Sequence, residues 1–160
     1  MDRISKREIE IFLSKIPDFP SPHLSYEQYL ISPTIAAKLI WIVETVFNDI
    51  NGKYVVDLGC GTGRLIIGSL FMNPFYAIGI DIDFHAIKES KNFIRKYLRE
   101  KYWRIDFICA DIHKFFLRKK IDVVIENPPF GVHKKGHDIS FLLKAISLGK
   151  KVYTIHKYTT

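Results

Sequence analysis

The sequence predicts an α/β fold in which helices cover a doubly wound sheet. Short runs rich in valine, isoleucine and phenylalanine alternate along the chain with longer segments that have helical apolar spacing. A glycine-rich turn follows the first of these runs, and the first three runs each lead to an aspartate. Ligands of open α/β sheets bind beyond the carboxyl ends of the strands, so a binding site is expected there.

The predicted strands lie at residues 54–56, 75–80, 105–109, 121–125 and 151–155. The predicted helices lie at residues 5–15, 33–48, 64–71, 84–102 and 139–148. Pro33 suits a first helical turn, and Asp83 is well placed to cap the helix that follows it. Residues 17–22 contain three prolines and are predicted to form a loop.

Length and composition indicate a single domain. The 160 residues, 48% of them apolar, can bury a substantial core, and no linker-like stretch divides them. Residues 1–50 are predicted to supply N-terminal helices and a cap over the site, and residues 51–160 the α/β core. No apolar run is long enough to cross a membrane and no signal peptide is apparent, so a cytoplasmic location is expected. Cys60 and Cys109 lack metal-ligand spacing, so no metal site is expected.

The glycine-rich turn has the sequence Asp57-Leu58-Gly59-Cys60-Gly61-Thr62-Gly63. Its glycines can take positive φ and let the backbone approach a ligand closely, and the helix start that follows offers unpaired N–H groups. One alternative is a nicotinamide-binding turn, but Arg64 stands where that turn usually has glycine or alanine. Another is a turn that needs glycine for its shape alone.

Two further acids follow the second and third predicted strands. Asp81 is placed where a carboxylate can accept hydrogen bonds from both ribose hydroxyls of a nucleoside. Taken singly, Asp81 or Asp111 could be an ordinary loop residue or helix cap. Together with Asp57, they place three acids at the ends of successive strands, which favours one shared ligand site.

The fourth predicted strand leads through Glu126 to Asn127-Pro128-Pro129-Phe130 at the same sheet edge. This motif suits a reaction at an amino nitrogen on an aromatic ring. Such a nitrogen is a poor nucleophile because its lone pair is delocalised, so a catalyst must assist it. The side-chain oxygen of Asn127 and the carbonyl of Pro128 can together accept hydrogen bonds from its N–H groups. The two prolines stiffen the loop, and Phe130 can stack on a base. The alternative is a rigid turn after a strand, which the glycine-rich turn upstream disfavours.

The spacing of the glycines resembles the S-adenosylmethionine (SAM) site of class I methyltransferases. The order of all the motifs resembles a narrower family, the small archaeal and eukaryotic RNA adenine-N6 methyltransferases of the methyltransferase-like protein 5 type. The matching stretches are residues 27–29, 35–37, 57–63, 79–83, 122–131, 136–138 and 152–157. The resemblance implies a Rossmann-like methyltransferase fold, SAM as the cofactor and RNA, expected to be ribosomal RNA, as the substrate.

The resemblance also implies roles for single residues. In that family Gln28 lies over the cofactor, Asp111 accepts a hydrogen bond from the adenine amino group, and Ile112 supplies a backbone N–H to the adenine ring. A threonine of that family falls where this chain has Ile31, and Thr34 is an available substitute. Eukaryotic members are stabilised by a small zinc-binding activator protein, so a partner of that kind is expected.

The family fold continues past the fifth strand with a helix and two more strands, whereas this chain stops at Thr160. We therefore expect an uncovered apolar edge at residues 151–155, and either a C-terminally truncated chain or a partner at that edge.

The net charge of +7 suits an anionic partner, and Lys134, Lys135 and His137 form the most useful basic cluster. The target nitrogen stays open at this point. The Asn-Pro-Pro-Phe motif also occurs in enzymes that methylate guanine N2 or a protein glutamine amide, and a non-catalytic SAM-binding module is a further alternative.

Overall fold

The computed structural model describes residues 4–20, 22, 28–129 and 136–156. Within them, one sheet contains the strands β1 Tyr54–Leu58, β2 Tyr76–Asp81, β3 Ile105–Cys109, β4 Ile121–Glu126 and β5 Gly149–Thr154. All neighbouring strands are parallel, in the order β3-β2-β1-β4-β5. The chain therefore winds outward from β1 in both directions, and the predicted doubly wound α/β fold is confirmed.

Helices cover both faces of this sheet. They are α1 Lys6–Leu13, α2 Pro33–Thr45, α3 Arg64–Ser69, α4 Phe84–Tyr97 and α5 His137–Leu148. Buried residues of the first four helices belong to one core cluster with alternate strand residues such as Val55 and Val123. Helix α5 packs on the opposite face, in a second cluster with Val56 and Val124. Among the helices described, none has the length and apolar content needed to span a bilayer.

Two predicted helix starts are confirmed, as is the predicted cap at Asp83; the cap at Ser32 was not predicted. Ser32 precedes Pro33, and its hydroxyl accepts a hydrogen bond from the backbone N–H of Ile35 at 3.2 Å. Asp83 accepts hydrogen bonds from the first N–H groups of α4, including that of His85 at 2.8 Å. Each cap satisfies a backbone donor that has no partner within its own helix.

The first and third helices end two residues before their predicted ends, and two further helix ends are wrong by three residues or more. The fourth helix ends at Tyr97, not at residue 102, because Leu98 leaves helical geometry (φ −138°, ψ 43°) and buries its side chain. A short 3₁₀ helix, Arg99–Arg104, then leads into β3. The second helix ends at Thr45, not at residue 48, because Asn48 takes a left-handed conformation (φ 52°) that terminates the helix.

Strand β5 forms an open edge of the sheet, as predicted, since only β4 pairs with it among the described strands. Lys150 and Lys151 are exposed on it, so this edge is more polar than predicted. Asp49, just before β1, accepts hydrogen bonds from Lys151 Nζ at 2.6 Å and from the Tyr153 hydroxyl. Burial alone would raise the pKa of Asp49, but these two hydrogen bonds outweigh burial and lower it. They tie β5 to the segment before β1.

Candidate active site

A cavity of about 290 Å³ opens at the carboxyl ends of β1 to β4. Its volume is close to the lower end, about 300 Å³, of the range typical for small-molecule sites. Nine residues that the sequence analysis assigned to a site line it: Gln28, Asp57, Gly59, Gly61, Asp81, Asp111, Ile112, Asn127 and Pro129. The fold thus brings together motifs that lie far apart in the sequence.

The turn after β1 needs glycine at three alternate positions. The φ values are 70° at Gly59, 53° at Gly61 and 89° at Gly63. Residues that have a Cβ rarely adopt such positive φ values. The N–H of Gly59 donates to the carbonyl of Ile80 at 2.8 Å, and the N–H of Gly61 donates to Asp81 Oδ2 at 2.7 Å. The turn is therefore held against the end of β2, and its backbone forms part of the cavity wall.

Four residues assigned to the site are not among the residues that line the cavity. Thr62 is fully buried, and its hydroxyl donates to the carbonyl of Pro17 at 2.9 Å. Gly63 packs against α3, where an added Cβ would lie 2.9 Å from the side chain of Ile67. Pro128 is buried, and Phe130 lies outside the described residues.

Three carboxylates approach the cavity from three adjacent strands. Asp57 accepts a hydrogen bond from the N–H of Ile66, and Asp81 accepts from the N–H of Asp83 as well as from the glycine turn. Burial raises the pKa of both Asp57 and Asp81, and for Asp57 the neighbouring carboxylates raise it further. Asp111 accepts from the N–H of His113 at 2.9 Å. Such a cluster favours a cationic ligand, which relieves the repulsion among the acids.

Two stretches between α1 and α2, residues 16–19 and 28–31, form a cap over the cavity. The ring of Phe19 lies against Gly61, where an added Cβ would be 2.6 Å from it. Gln28 Nε2 donates to Asp83 Oδ2 at 2.7 Å, which fastens the second stretch to the start of α4. Burial works to raise the pKa of Asp83, but the hydrogen bonds from Gln28 and the backbone outweigh it and lower that pKa.

An aromatic wall of the cavity is formed by His113, His137 and Phe141. His137 was predicted only as part of a basic cluster that meets an anionic partner, and the sequence pointed to neither His113 nor Phe141. The two imidazole rings lie nearly parallel with centroids 6.4 Å apart, and Phe141 packs edge-on against both. Phe141 also lies against Gly59. His113 follows Asp111 so closely that the strand end could have indicated it. No nearby motif in the sequence marks Phe141 as a site residue, because it lies in α5, the helix that follows β4.

Asn127 and Pro129 reach the cavity from the end of β4, the strand next to β1. Both are half-buried, and both line the cavity. The basic residues Lys134 and Lys135, predicted to meet an anionic partner, lie outside the described residues. Within the residues that the structure covers, no three His, Cys, Asp or Glu side chains are grouped as a metal site would need.

The family is settled by a match that spans most of this architecture. A family model described as the methyltransferase small domain matches residues 37–147, from α2 through nearly all of α5. The chain belongs to this methyltransferase family. It is 40% identical to the uncharacterized protein MJ0284 of Methanocaldococcus jannaschii, over 98% of this chain and 73% of that protein.

Other relatives of this methyltransferase have more informative names. It is 36% identical to the rRNA N(6)-adenosine-methyltransferase METTL5 of Danio rerio, over 96% of this chain and 75% of that protein. Among solved structures, the putative RNA methyltransferase PH1948 from Pyrococcus horikoshii superposes with a TM-score of 0.86 at 34% identity. That superposition covers 96% of this chain and 74% of the other.

The cavity of this methyltransferase fits SAM, the methyl donor of its family. SAM carries a sulfonium and an ammonium group, and the acids at the ends of β1, β2 and β3 provide the negative charge that such groups need. Gly59 and Gly61 line the cavity, and an added Cβ at either one would strike an aromatic ring of the cavity lining, so only glycine fits there. The aromatic wall beside Asp111 can hold a planar ring.

Glu126, which directly precedes Asn127, is completely buried. Neither of its carboxylate oxygens has a hydrogen-bond partner in the part of the chain that the structure describes. Burial raises the pKa of Glu126 to about 7, against a smaller opposing effect of the Thr154 hydroxyl on the neighbouring strand. The folded protein therefore retains a proton that the unfolded chain releases from about pH 4.5 upward.

Replacing Glu126 with glutamine should stabilise this methyltransferase at high pH only. A carboxyl group whose pKa is raised by folding contributes its full stabilisation at pH values below its pKa in the unfolded chain. This contribution, up to about 3 kcal/mol, is lost as the pH rises through about 7. We expect Glu126→Gln to match the parent at pH 4.5 and to exceed its unfolding free energy by about 1–3 kcal/mol at pH 8. Urea unfolding at both pH values measures this. A difference that does not change with pH would contradict it.

Proposed function

We propose that this methyltransferase transfers the methyl group of SAM to the N6 amino group of an adenine in RNA, with ribosomal RNA as the substrate. The observation that carries the proposal is the position of Asn127 and Pro129, at the end of β4 in the cavity that also contains the acids of β1, β2 and β3. Relatives from Danio rerio and Drosophila melanogaster, 36% and 33% identical, are named rRNA N(6)-adenosine-methyltransferases.

The strand order supports a direction for the cofactor. In the proposal, Asp111 and the N–H of Ile112 hold the adenine at the end of β3, and Asp81 accepts hydrogen bonds from the ribose hydroxyls at β2. The Asp81 carboxylate accepts backbone N–H groups of Gly61 and Asp83, and a carboxylate has about four lone-pair sites, so it can also accept a ribose hydroxyl. The methionine part then lies over the glycine turn of β1, beneath Gln28 and the cap.

The cofactor supplies an electrophilic methyl group on a sulfonium. With the nucleoside at β3 and β2, that methyl group is expected to face β4, where Asn127 lies. The Asn127 side-chain oxygen and the Pro128 carbonyl accept hydrogen bonds from the two N–H groups of the target nitrogen as it becomes tetrahedral. Phe130 would stack on the target base, which must leave its stack to enter the cavity.

The charge of the chain supports an RNA substrate. The net charge is +7, and Lys134 and Lys135 follow the catalytic loop closely in the sequence. Their proposed role is to bind phosphates that flank the target base, which predicts activity that falls as salt concentration rises. We also propose that a small zinc-binding activator protein assists this methyltransferase, as the family resemblance implies.

Transfer of labelled methyl groups from SAM tests the target. The chain is incubated with rRNA, with ribonuclease-treated rRNA and with ribosomal protein, each with and without a zinc-binding activator. We expect label in intact rRNA alone, and N6-methyladenosine after digestion to nucleosides. Recovery of N2-methylguanosine or of methylated glutamine would contradict the proposal and assign one of the other planar nitrogens.

A further inference from the structure

Arg64 is a buried cation in the cofactor cavity that the proposed mechanism does not use. It is the first residue of α3, directly after the glycine turn, and is only 7% exposed. Its Nη2 donates to the carbonyl of Ile16 at 3.1 Å, and its Nη1 donates to the carbonyl of Ile31. These carbonyls belong to the two stretches of the cap, so one side chain fastens both.

The two carbonyls leave the guanidinium incompletely paired. Arg64 Nε is buried and has no hydrogen-bond partner among the described residues. No carboxylate in that part of the chain lies within 4 Å of the guanidinium, although Asp18 is near enough to favour its charge. Burying a charged group without an ionic partner is costly, so a largely buried guanidinium whose residue lines a cavity points to an anionic ligand group.

Arg64 differs in charge from the other ionised side chains of the cavity. Asp57, Asp81 and Asp111 line the cavity, and Arg64 is the sole lysine or arginine among the described residues that do. The acids suit the ammonium and sulfonium groups of SAM but repel its carboxylate. With the nucleoside at β3 and β2, the methionine part lies nearest the glycine turn and the start of α3, which is where Arg64 is.

We infer that Arg64 binds the carboxylate of the cofactor's methionine moiety while the same guanidinium holds the cap closed over it. Guanidinium N–H groups can bind a carboxylate in a fork, and the cap carbonyls of Ile16 and Ile31 fix the orientation of that fork beforehand. The inference rests on the SAM cofactor and is independent of the RNA target, so the failure of one leaves the other standing.

The test compares SAM with decarboxylated SAM, which keeps the adenosine, sulfonium and amino groups. Calorimetric titration of the unmodified protein should give about 10- to 100-fold tighter binding of SAM, since hydrogen bonds to charged groups contribute that much. In Arg64→Met, SAM binding should weaken by a similar factor while decarboxylated SAM keeps its affinity within a few-fold. The preference for SAM is then lost or reversed.

A purely structural role gives a different pattern. If Arg64 only holds the cap, Arg64→Met weakens both ligands equally, and this result would overturn the inference. Lys101→Met is the matched control, because Lys101 is a half-buried cation that donates to the Leu70 carbonyl and does not line the cavity. It should leave both affinities unchanged. Should Arg64→Met fail to fold, equal affinity of the unmodified protein for the two ligands still overturns the inference.

Discussion

Replacing Asn127 with alanine is expected to lower kcat for methyl transfer about 10²- to 10³-fold, with SAM affinity unchanged within about twofold. The loss follows from the proposed role of the Asn127 amide oxygen, which accepts a hydrogen bond that strengthens as the target nitrogen becomes tetrahedral. Removing one preorganised group of this kind typically costs a factor of that size. In the proposed binding mode, the cofactor is held mainly by residues of β1, β2 and β3, so its binding should survive.

Single-turnover kinetics with saturating SAM and RNA separate the chemical step from binding. Asn51→Ala is a matched control, because Asn51 is exposed in the turn before β1 and does not line the cavity. It should keep the parental rate. If Asn127→Ala also retains full activity, the assignment of Asn127 as the acceptor is wrong, whatever the substrate proves to be.

The strands and the acids at or near their carboxyl ends were predictable because their signals are local. A β-branched run marks a strand, and a parallel sheet places the residues after its strands along one edge, so the sequence alone groups Asp57, Asp81 and Asp111. The end of the fourth helix could not be predicted in this way. Residues 84–102 contain no glycine or proline, and the helix stops because burial of Leu98 takes precedence over helical continuity.

The cap and the aromatic wall depend on contacts that leave little trace in the sequence. Arg64 binds the backbone carbonyls of Ile16 and Ile31, 48 and 33 residues away, and a carbonyl acceptor is the same whatever side chain it carries. From the sequence, Arg64 could be interpreted only as a residue that disfavours a nicotinamide-binding turn. Thr62 was assigned to the cofactor from its place in the glycine motif, but its hydroxyl binds Pro17 in the cap.

Replacing Gly61 with alanine is expected to weaken SAM binding about 10- to 100-fold. Each tenfold step corresponds to a loss of about 1.4 kcal/mol of binding free energy. The residue has φ of 53°, and an added Cβ would lie 2.6 Å from the ring of Phe19 in the cap. The clash must displace either the cap or the turn, in which the N–H of Gly61 donates to Asp81. The left-handed conformation alone should cost about 1–2 kcal/mol of folding stability for a residue with a Cβ.

Gly52→Ala separates backbone strain from the clash. Gly52 has a similar φ of 69°, but no atom lies within 4 Å of its added Cβ. Both variants should lose about 1–2 kcal/mol to backbone strain in urea unfolding, and any further loss in Gly61→Ala measures the clash. Only Gly61→Ala should lose SAM affinity in calorimetric titration.

A double-mutant cycle with Phe19→Ala then tests the cause of the lost affinity. Phe19 lines the cavity, so its removal alone should also weaken binding. If the Phe19 ring is what the methyl group added by Gly61→Ala strikes, the double variant must bind SAM better than the two separate losses predict. Additive losses would mean that Gly61→Ala weakens binding by distorting the turn itself, and that its contact with the Phe19 ring is not the cause.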